Sequence, residues 1–355
     1  MTGKAAHIYS AAKYGPRGQG ILTDEQIRSP ANGIWMCSDH SDLIDKNSGN
    51  RYAVTTLQSW KALHESRIAF EHSGRLATFG FIRSIRLRTS PLFTDETEIE
   101  FAKATLIIGK NGTGKTAICE WLYTLESSAK LLRWECRSGD TMLDADIVFD
   151  LPTSHVLTLS VPHKTPNLLL DGVKLAQNPL RISVTYLEKS ESWSSYDDDL
   201  HLVSNVLHID KGHARSLAEL ADDTCLSLKR AEWRRELDNS DNWGERLYVE
   251  FRNTNTWQSF GSLSDGQRSR TLLDFAILRA KAAAGFIPSL LTVELKGLGL
   301  DWISFKPYMA YFSQSSTPFQ TLITSWELTP EMAELGWPVF VIEGNKPHQR
   351  IATKA

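Results

Sequence analysis

The sequence predicts an α/β protein built on a buried parallel sheet, and three features predict it. Four short apolar runs, Thr105–Ile108, Ser289–Val293, Thr321–Thr324 and Val339–Ile342, have the length and composition of strands covered on both faces. Runs of this kind alternate with helical patterns over residues 76–355. The stretch GKNGTGKT at 109–116 directly follows the first run and opens a helical pattern. The chain can bury a large core, since it has 355 residues, 41% of them hydrophobic and 23% charged. A net charge of -3 excludes a uniformly basic nucleic-acid coat and leaves room only for a local basic groove. The eleven tryptophans are read as core and interface aromatics before a base-stacking platform.

Taken in order, residues 1–66 read as short strands and turns, then a helix. Gly15, Pro16, Gly18 and Gly20 mark one loop; Pro30, Asn32 and Gly33 mark another. Thr55–Glu65 places Leu57, Trp60, Leu63 and His64 at helical spacing. Residues 67–78 read as a linker, and 79–355 as the second domain. Phe81, Ile82, Ile85 and Leu87, then Ile99 and Phe101, alternate as strands. Thr116–Leu125 is helical; Asp146–Leu151, His155–Val161 and Asn167–Leu175 are antiparallel strands with turns at Pro152 and Pro162. Ile182–Leu187 is a strand, and Tyr196-Asp197-Asp198-Asp199 an exposed acidic loop. Ala214–Leu237 reads as a charge-rich helix carrying Leu217, Leu220, Leu226, Leu228 and Trp233, within a helical insertion at about 205–240. Its Lys229, Arg230, Arg234 and Arg235 are read as a solvated face before a contact to nucleic-acid phosphate, and no heptad is sustained along it. Arg246–Phe251 returns to strand, and 264–284 is helical.

Cys37, Cys119, Cys136 and Cys225 are scattered without a CxxC pair, which implies a reducing, cytoplasmic setting. No apolar run reaches the ~18–20 residues of a membrane span, so no membrane partner is expected. The first twenty residues lack the apolar segment of a secretory signal.

The glycine-rich loop carries the sharpest chemistry. Gly109, Gly112 and Gly114 let backbone N–H groups of Lys110, Asn111 and Thr113 turn inward around anionic oxygens. Lys115 neutralises β- and γ-phosphate charge, and the Thr116 hydroxyl can ligate Mg²⁺. GKNGTGKT resembles the phosphate loop of ABC-type ATPases, especially the RecF/SMC-like and "overcoming lysogenization defect" branch. The preceding IRSIRLRTSPLFTDETEIEFAKATLIIG resembles that branch's opening strands.

Ser262-Leu263-Ser264-Asp265-Gly266-Gln267 is similar to the family's LSGGQ signature, departs from it at Asp265, and is followed by a helix as in the family. Its serine hydroxyl and glycine amide at a helix N-terminus suit a γ-phosphate, which in this family belongs to ATP held by the other protomer. A carboxylate at Asp265 weakens such a contact, and Ser264 or Asp265 also serves as an ordinary N-cap. Downstream, SLLTVELKGLGLD at 289–301 stands where the family has an apolar strand, Asp-Glu, then a loop ending in Leu-Asp. If Asp301 is that final aspartate, Glu294 takes the metal-holding position and Leu295 replaces the catalytic glutamate. In the other register Glu294 is the catalytic glutamate and Val293 replaces the metal ligand. Either way one acid is absent. Trp326 also stands in place of the family's phosphate-sensing histidine. Losing a general base costs about 10²–10⁴-fold in rate. The resemblance therefore implies ATP and Mg²⁺ binding, slow or absent hydrolysis, and a head-to-head homodimer. The architecture it implies is a mixed sheet with helices, an antiparallel β subdomain and a small helical subdomain.

Residues 5–66 resemble the HNH (ββα-metal) endonuclease module. The pattern runs through Ala5-Ala6-His7-Ile8-Tyr9, Gly15-Pro16-Arg17, Asn32 to Cys37, His40, Leu43-Ile44-Asp45 and Leu57-Trp60-Lys61. The resemblance implies that His7 is general base to a water, Asn32 the orienting residue and Asp45 a ligand to a divalent metal. Ser41 stands where many members have a metal-binding histidine. Cys37 and His40 make only half of a four-ligand zinc knuckle, so no structural zinc is expected. The combination implies an ATP-controlled nuclease acting on DNA, in prokaryotic anti-phage defence or DNA repair. A nucleotide-gated scaffold that assembles with a separate effector is the alternative.

Overall fold

The computed structural model describes residues 3–58, 60–61, 65, 81–93, 96–134, 142–151, 153–162, 166–174, 182–187, 198–222, 224–237, 243–285, 287–300, 302–343 and 346–350. The expected linker at 67–78 and the candidate Asp301 lie outside them. The chain divides into two compact units, Met1–Leu76 with Leu151–Thr153, and Ala77–Asp150 with Ser154–Ala355.

In the first unit β1 (Gly3–His7) pairs antiparallel with β2 (Gly33–Cys37), with His7 opposite Gly33. The connection holds the short helix α1 (Asp24–Arg28), which is closed by a Thr23/Gln26 capping box. Helix α2 (Ser38–Asp45) follows β2 at once, giving a ββα order. Among the described residues its core cluster is Ala6, Ile8, Ile34, Ile44 and Leu57, with Trp60 packed beside them. So few apolar side chains leave much of the work to polar staples. Arg17, whose side chain is only 5% exposed, is the largest of these. It donates to the carbonyls of Ile8 (2.7 Å), Ile44 (2.6 Å) and His7 (3.0 Å) and to Asp45 Oδ1 (2.6 Å). Lys61 Nζ caps the carbonyls of Ala31 (3.2 Å), Gly33 (2.9 Å) and Pro30.

The second unit runs β3 (Ile82–Thr89), β4 (Thr97–Glu100), β5 (Ala104–Gly109), α3 (Lys115–Tyr123), β6 (Leu143–Leu151), β7 (Thr153–Val161), β8 (Asn167–Leu170), β9 (Val173–Lys174) and β10 (Ser183–Leu187). Helices α4 (Asp199–Val206) and α5 (Lys211–Leu220) follow, then β11 (Leu228–Leu237), β12 (Trp243–Phe251), β13 (Gln258–Ser259) and α6 (Asp265–Ala284). The chain continues through β14 (Ser289–Glu294), α7 (Leu295–Leu298), α8 (Trp302–Phe312), β15 (Gln320–Ser325), α9 (Pro330–Glu334), β16 (Val339–Glu343) and β17 (Lys346–Arg350).

The central sheet has the order β10-β14-β15-β5-β16-β17, parallel except for the last pair. All six residues of β5 are buried, as a strand covered on both faces requires. A second, antiparallel sheet has the order β4-β3-β6-β7-β8-β9. The main core draws on β14 and β15 with α6 and α8, including Leu272, Phe275, Leu291, Phe305 and Ile323.

Two elements differ from expectation. Ala214–Leu237 is not a single helix, because α5 ends at Leu220 and Leu228–Leu237 is strand β11. The insertion at 205–240 is thus part helix and part strand. The strand is held by a long antiparallel pairing with β12, from Leu228 opposite Phe251 to Leu237 opposite Trp243. Helix-permissive Lys, Arg and Glu do not oppose that pairing, and cross-strand contacts outweigh weak local propensity. The basic residues there pair with acids, Lys229 and Arg230 with Glu250, and Arg234 with Glu232. The acidic loop also differs in its described part. Asp198 caps α4, while Asp199 is buried and accepts the Leu247 N–H at 3.0 Å.

Candidate nucleotide-binding site

The site is built where β5 ends. Gly114 stands at φ +97° as the N-cap of α3, a conformation that favours glycine, and a Cβ there would meet the Phe93 ring at 2.7 Å. At Gly109 a Cβ would lie 2.6 Å from Thr113 Oγ1 and 2.9 Å from the Ile342 carbonyl. The loop thus closes only on glycine at both ends. Inside it Lys115 Nζ donates to the carbonyls of Gly109 (2.6 Å) and Lys110 (2.9 Å), and Thr113 Oγ1 to Lys110 O (2.9 Å).

A cavity of about 490 Å³ opens over this loop. It is lined by Asn111 to Ala117 together with Glu294 from the end of β14 and Thr324 from β15. The register explains the meeting: Glu294 is opposite Thr324, and Thr324 opposite Ile107 two residues before the loop. Two strands far apart in sequence, β5 (Ala104–Gly109) and β14 (Ser289–Glu294), thereby bring an acid to the cavity that Lys115 and Thr116 line.

Sequence reasoning missed three further lining residues, Leu92, Arg133 and Trp134. Glu120 lies one turn beyond Thr116 on the same face of α3. Its buried carboxylate accepts from Arg133 (2.6 Å) and from the Trp134 indole (2.7 Å). Burial raises the Glu120 pKa, against the opposing pull of Arg133 and Trp134. Burial, with the negative charges of Glu294 and Glu120, pushes the Cys119 thiol well up, so this cysteine is a packing residue.

The donor set fits a nucleoside triphosphate with a divalent cation. Backbone N–H groups at a helix start and an ammonium match the phosphates, and a hydroxyl with a carboxylate matches a hard cation. Ser264, Asp265, Gly266 and Gln267 do not line this cavity. They form the N-terminus of α6, where Ser264 and Gln267 close a capping box. Ser264 and Asp265 are exposed, and a Cβ on Gly266 would meet nothing within 4 Å. Trp326 follows β15 and is 52% exposed.

In the first unit the candidate residues are placed differently. His7 is exposed at the end of β1. Asn32 is buried, with Oδ1 accepting from Tyr9 N (2.8 Å) and Nδ2 donating to the carbonyls of Tyr9 (2.9 Å) and Ile27 (3.0 Å). Asp45 is bound to Arg17, and Ser41 is buried. Cys37 Sγ lies 2.9 Å from His40 Nδ1. Among the described residues no group of three or more His, Cys, Asp or Glu is placed to hold a metal ion.

Comparison with solved structures gives the class. A crystal structure of the Smc head bound to the C-winged helix domain of ScpA matches with TM-score 0.52 at 15% identity, covering 76% of this chain and 97% of that one. An Smc head domain with an extended coiled coil, bound to the C-terminal domain of ScpA and derived from Pyrococcus furiosus, matches with TM-score 0.50 at 12% identity. It covers 77% of this chain and 96% of that one. The recombination mediator protein RecF with ATP matches at TM-score 0.47 and 10% identity, over 78% of this chain and 100% of that one. No protein-family model and no curated protein matches the sequence. At such identities the likeness is one of fold: the chain has a mixed α/β fold resembling that of an SMC head. Among the described residues no helix is long and apolar enough to cross a membrane.

Proposed function

We propose that the chain binds ATP with Mg²⁺ as a slowly or non-hydrolysing ABC-type ATPase head. Nucleotide-dependent homodimerisation of that head controls the N-terminal HNH-like module, which acts on DNA in prokaryotic anti-phage defence or DNA repair. The observation that carries the nucleotide reading is the single cavity lined by the 111–117 loop, Glu294 and Thr324. Lys115 and the loop amides hold the phosphates; Thr116 and Glu294 hold the cation. When bound, Mg²⁺ neutralises phosphate charge. The start of α6, at Ser264 to Gln267, with Ser264 and Asp265 exposed, suits the nucleotide of a second protomer, and the candidate Asp301 belongs to the same dimer reading. Slow turnover rests on Leu295 and Trp326, neither of which can activate water.

Calorimetric titration with ATP and Mg²⁺ tests this, beside a turnover assay. We expect saturable binding that Lys115→Ala weakens about 100-fold, protein association on nucleotide addition, and turnover below about 0.1 s⁻¹. Absence of ATP binding, or turnover at ordinary enzyme rates, would overturn the reading.

A specific observation favours a second reading, the nucleotide-gated scaffold with an inactive module and a separate effector. The amide of Asn32 and the carboxylate of Asp45 are both engaged in holding the unit together. Plasmid nicking with Mg²⁺ or Mn²⁺ separates the two. Nicking that His7→Ala abolishes supports the nuclease with His7 as base and a divalent metal at Asp45, while no cleavage under any condition supports the scaffold.

A further inference from the structure

The carboxylate of Glu294 does not stand alone at the cavity wall. Tyr186 Oη donates to Glu294 Oε1 at 2.6 Å, within the short range of a hydrogen bond to an ionised acceptor. The sheet explains how the two meet. β10 pairs in parallel with β14, with Tyr186 opposite Thr292 and Leu187 opposite Val293. Side chains two apart on a strand share a face, so Tyr186 and Glu294 lie on the same face, one two-residue repeat apart. That repeat is about 6.6 Å, a distance a phenol spans and a serine or threonine does not.

The ring is held firmly. Tyr186 is fully buried and its centroid lies 6.2 Å from those of Tyr123 and His208, with Lys130 Nζ 5.7 Å away. A buried phenol needs a polar partner, and this one ends on the only carboxylate lining the phosphate-loop cavity among the described residues. With Oε1 fixed from the strand side, Oε2 is the oxygen left to an incoming cation.

We propose that Tyr186 is a positioning residue for divalent-cation binding, orienting Glu294 as the acid that holds the metal of a bound nucleoside triphosphate. The inference rests on the nucleotide reading above and deepens it: it assigns Glu294 to the metal and leaves water activation without an acid. Outer-sphere partners of metal-holding carboxylates restrict rotation of the ligand, and losing one typically costs about 10–100-fold in metal affinity.

The experiment measures ATP affinity with EDTA and the Mg²⁺ concentration giving half of the metal-induced gain, in full-length protein. Wild type is compared with Tyr186→Phe, Glu294→Gln, the double variant and Glu294→Asp. Tyr186→Phe keeps the ring and removes only the donor; Glu294→Asp keeps the acid and draws it back from the phenol. We expect Tyr186→Phe to leave metal-free ATP affinity unchanged and to raise the Mg²⁺ requirement about tenfold. Glu294→Asp should behave likewise, and Tyr186→Phe should add less than about twofold on the Glu294→Gln background. A Mg²⁺ requirement unchanged in Tyr186→Phe, or full multiplication of the two effects, overturns the proposal while ATP binding stands. If Tyr186→Phe does not fold, an unchanged requirement in Glu294→Asp overturns it equally. Wild-type protein that binds no ATP, with or without metal, overturns both this and the nucleotide reading.

Discussion

The phosphate loop and the N-terminal ββα unit use similar polar residues to opposite ends. In the loop, Lys115 rests on carbonyls of the loop it belongs to, and Glu294 meets Tyr186 through one oxygen. In the N-terminal unit, Arg17, Asn32 and Lys61 each bond several backbone groups of distant segments. The first region sits on a parallel sheet with a large apolar core, and its Lys115 and Glu294 line a cavity open to a ligand. Among its described residues the second has a core cluster of only five buried apolar side chains, and its polar groups carry part of the fold. A buried or bonded polar residue in a motif is therefore informative only once its partners are known.

The comparison can be broken from either side. The largest effect expected is on binding: Lys115→Ala should weaken ATP binding about 100-fold, as loss of a charge-assisted contact implies, and leave thermal unfolding unchanged. A fall in Tm comparable to that of a core variant would show that the loop too is held together by its lysine. Next, Asn32→Ala removes three hydrogen bonds and strands partly buried backbone groups, so chemical denaturation should show a loss of about 2 kcal/mol in the first unit. His7→Ala, at an exposed position, should cost almost nothing. Equal losses in the two variants would erase the distinction between fold-holding and available groups.

A third effect probes the core itself. Burial raises the Asp274 carboxyl to about 6 from 3.8, although the N–H groups of Leu226, Ser227 and Leu228 oppose the rise. An acid raised on folding keeps its proton to higher pH in the folded state. It therefore costs stability above about pH 6, and the cost is relieved as pH falls toward about 4. Relative to Asp274→Asn, wild type should gain about 2 kcal/mol between about pH 7.5 and pH 4.5, measured by urea unfolding. A wild-type loss over that interval would reverse the sign and sink the assignment. A smaller effect is that of Asp45→Asn. Asp45 is 45% exposed and Arg17 keeps three carbonyl partners, so about 1 kcal/mol should be lost. A much larger loss would make Asp45 as indispensable to the unit as Asn32.

The sequence by itself determined the phosphate loop, since glycines, lysine and threonine at fixed spacing after a buried strand are local and their geometry is dictated by backbone conformation. It also determined the strands of the parallel sheet, because continuous apolar runs need cover on both faces. Only the tertiary structure decided what lies across strand pairings. Leu228–Leu237 is a strand because β12 pairs with it, although its charged residues read equally well as a helix face. Glu120 with Arg133 and Trp134, and Tyr186 with Glu294, meet across 13, 14 and 108 positions, and no local pattern records such encounters. The same holds for Asn32 and Asp45. Their residue types agree with an endonuclease-like pattern, while their bonds to Tyr9, Ile27 and Arg17 are set by chain folding. A side chain's chemistry is written in the sequence; whether that chemistry is already engaged depends on which distant groups the fold brings within about 3 Å of it.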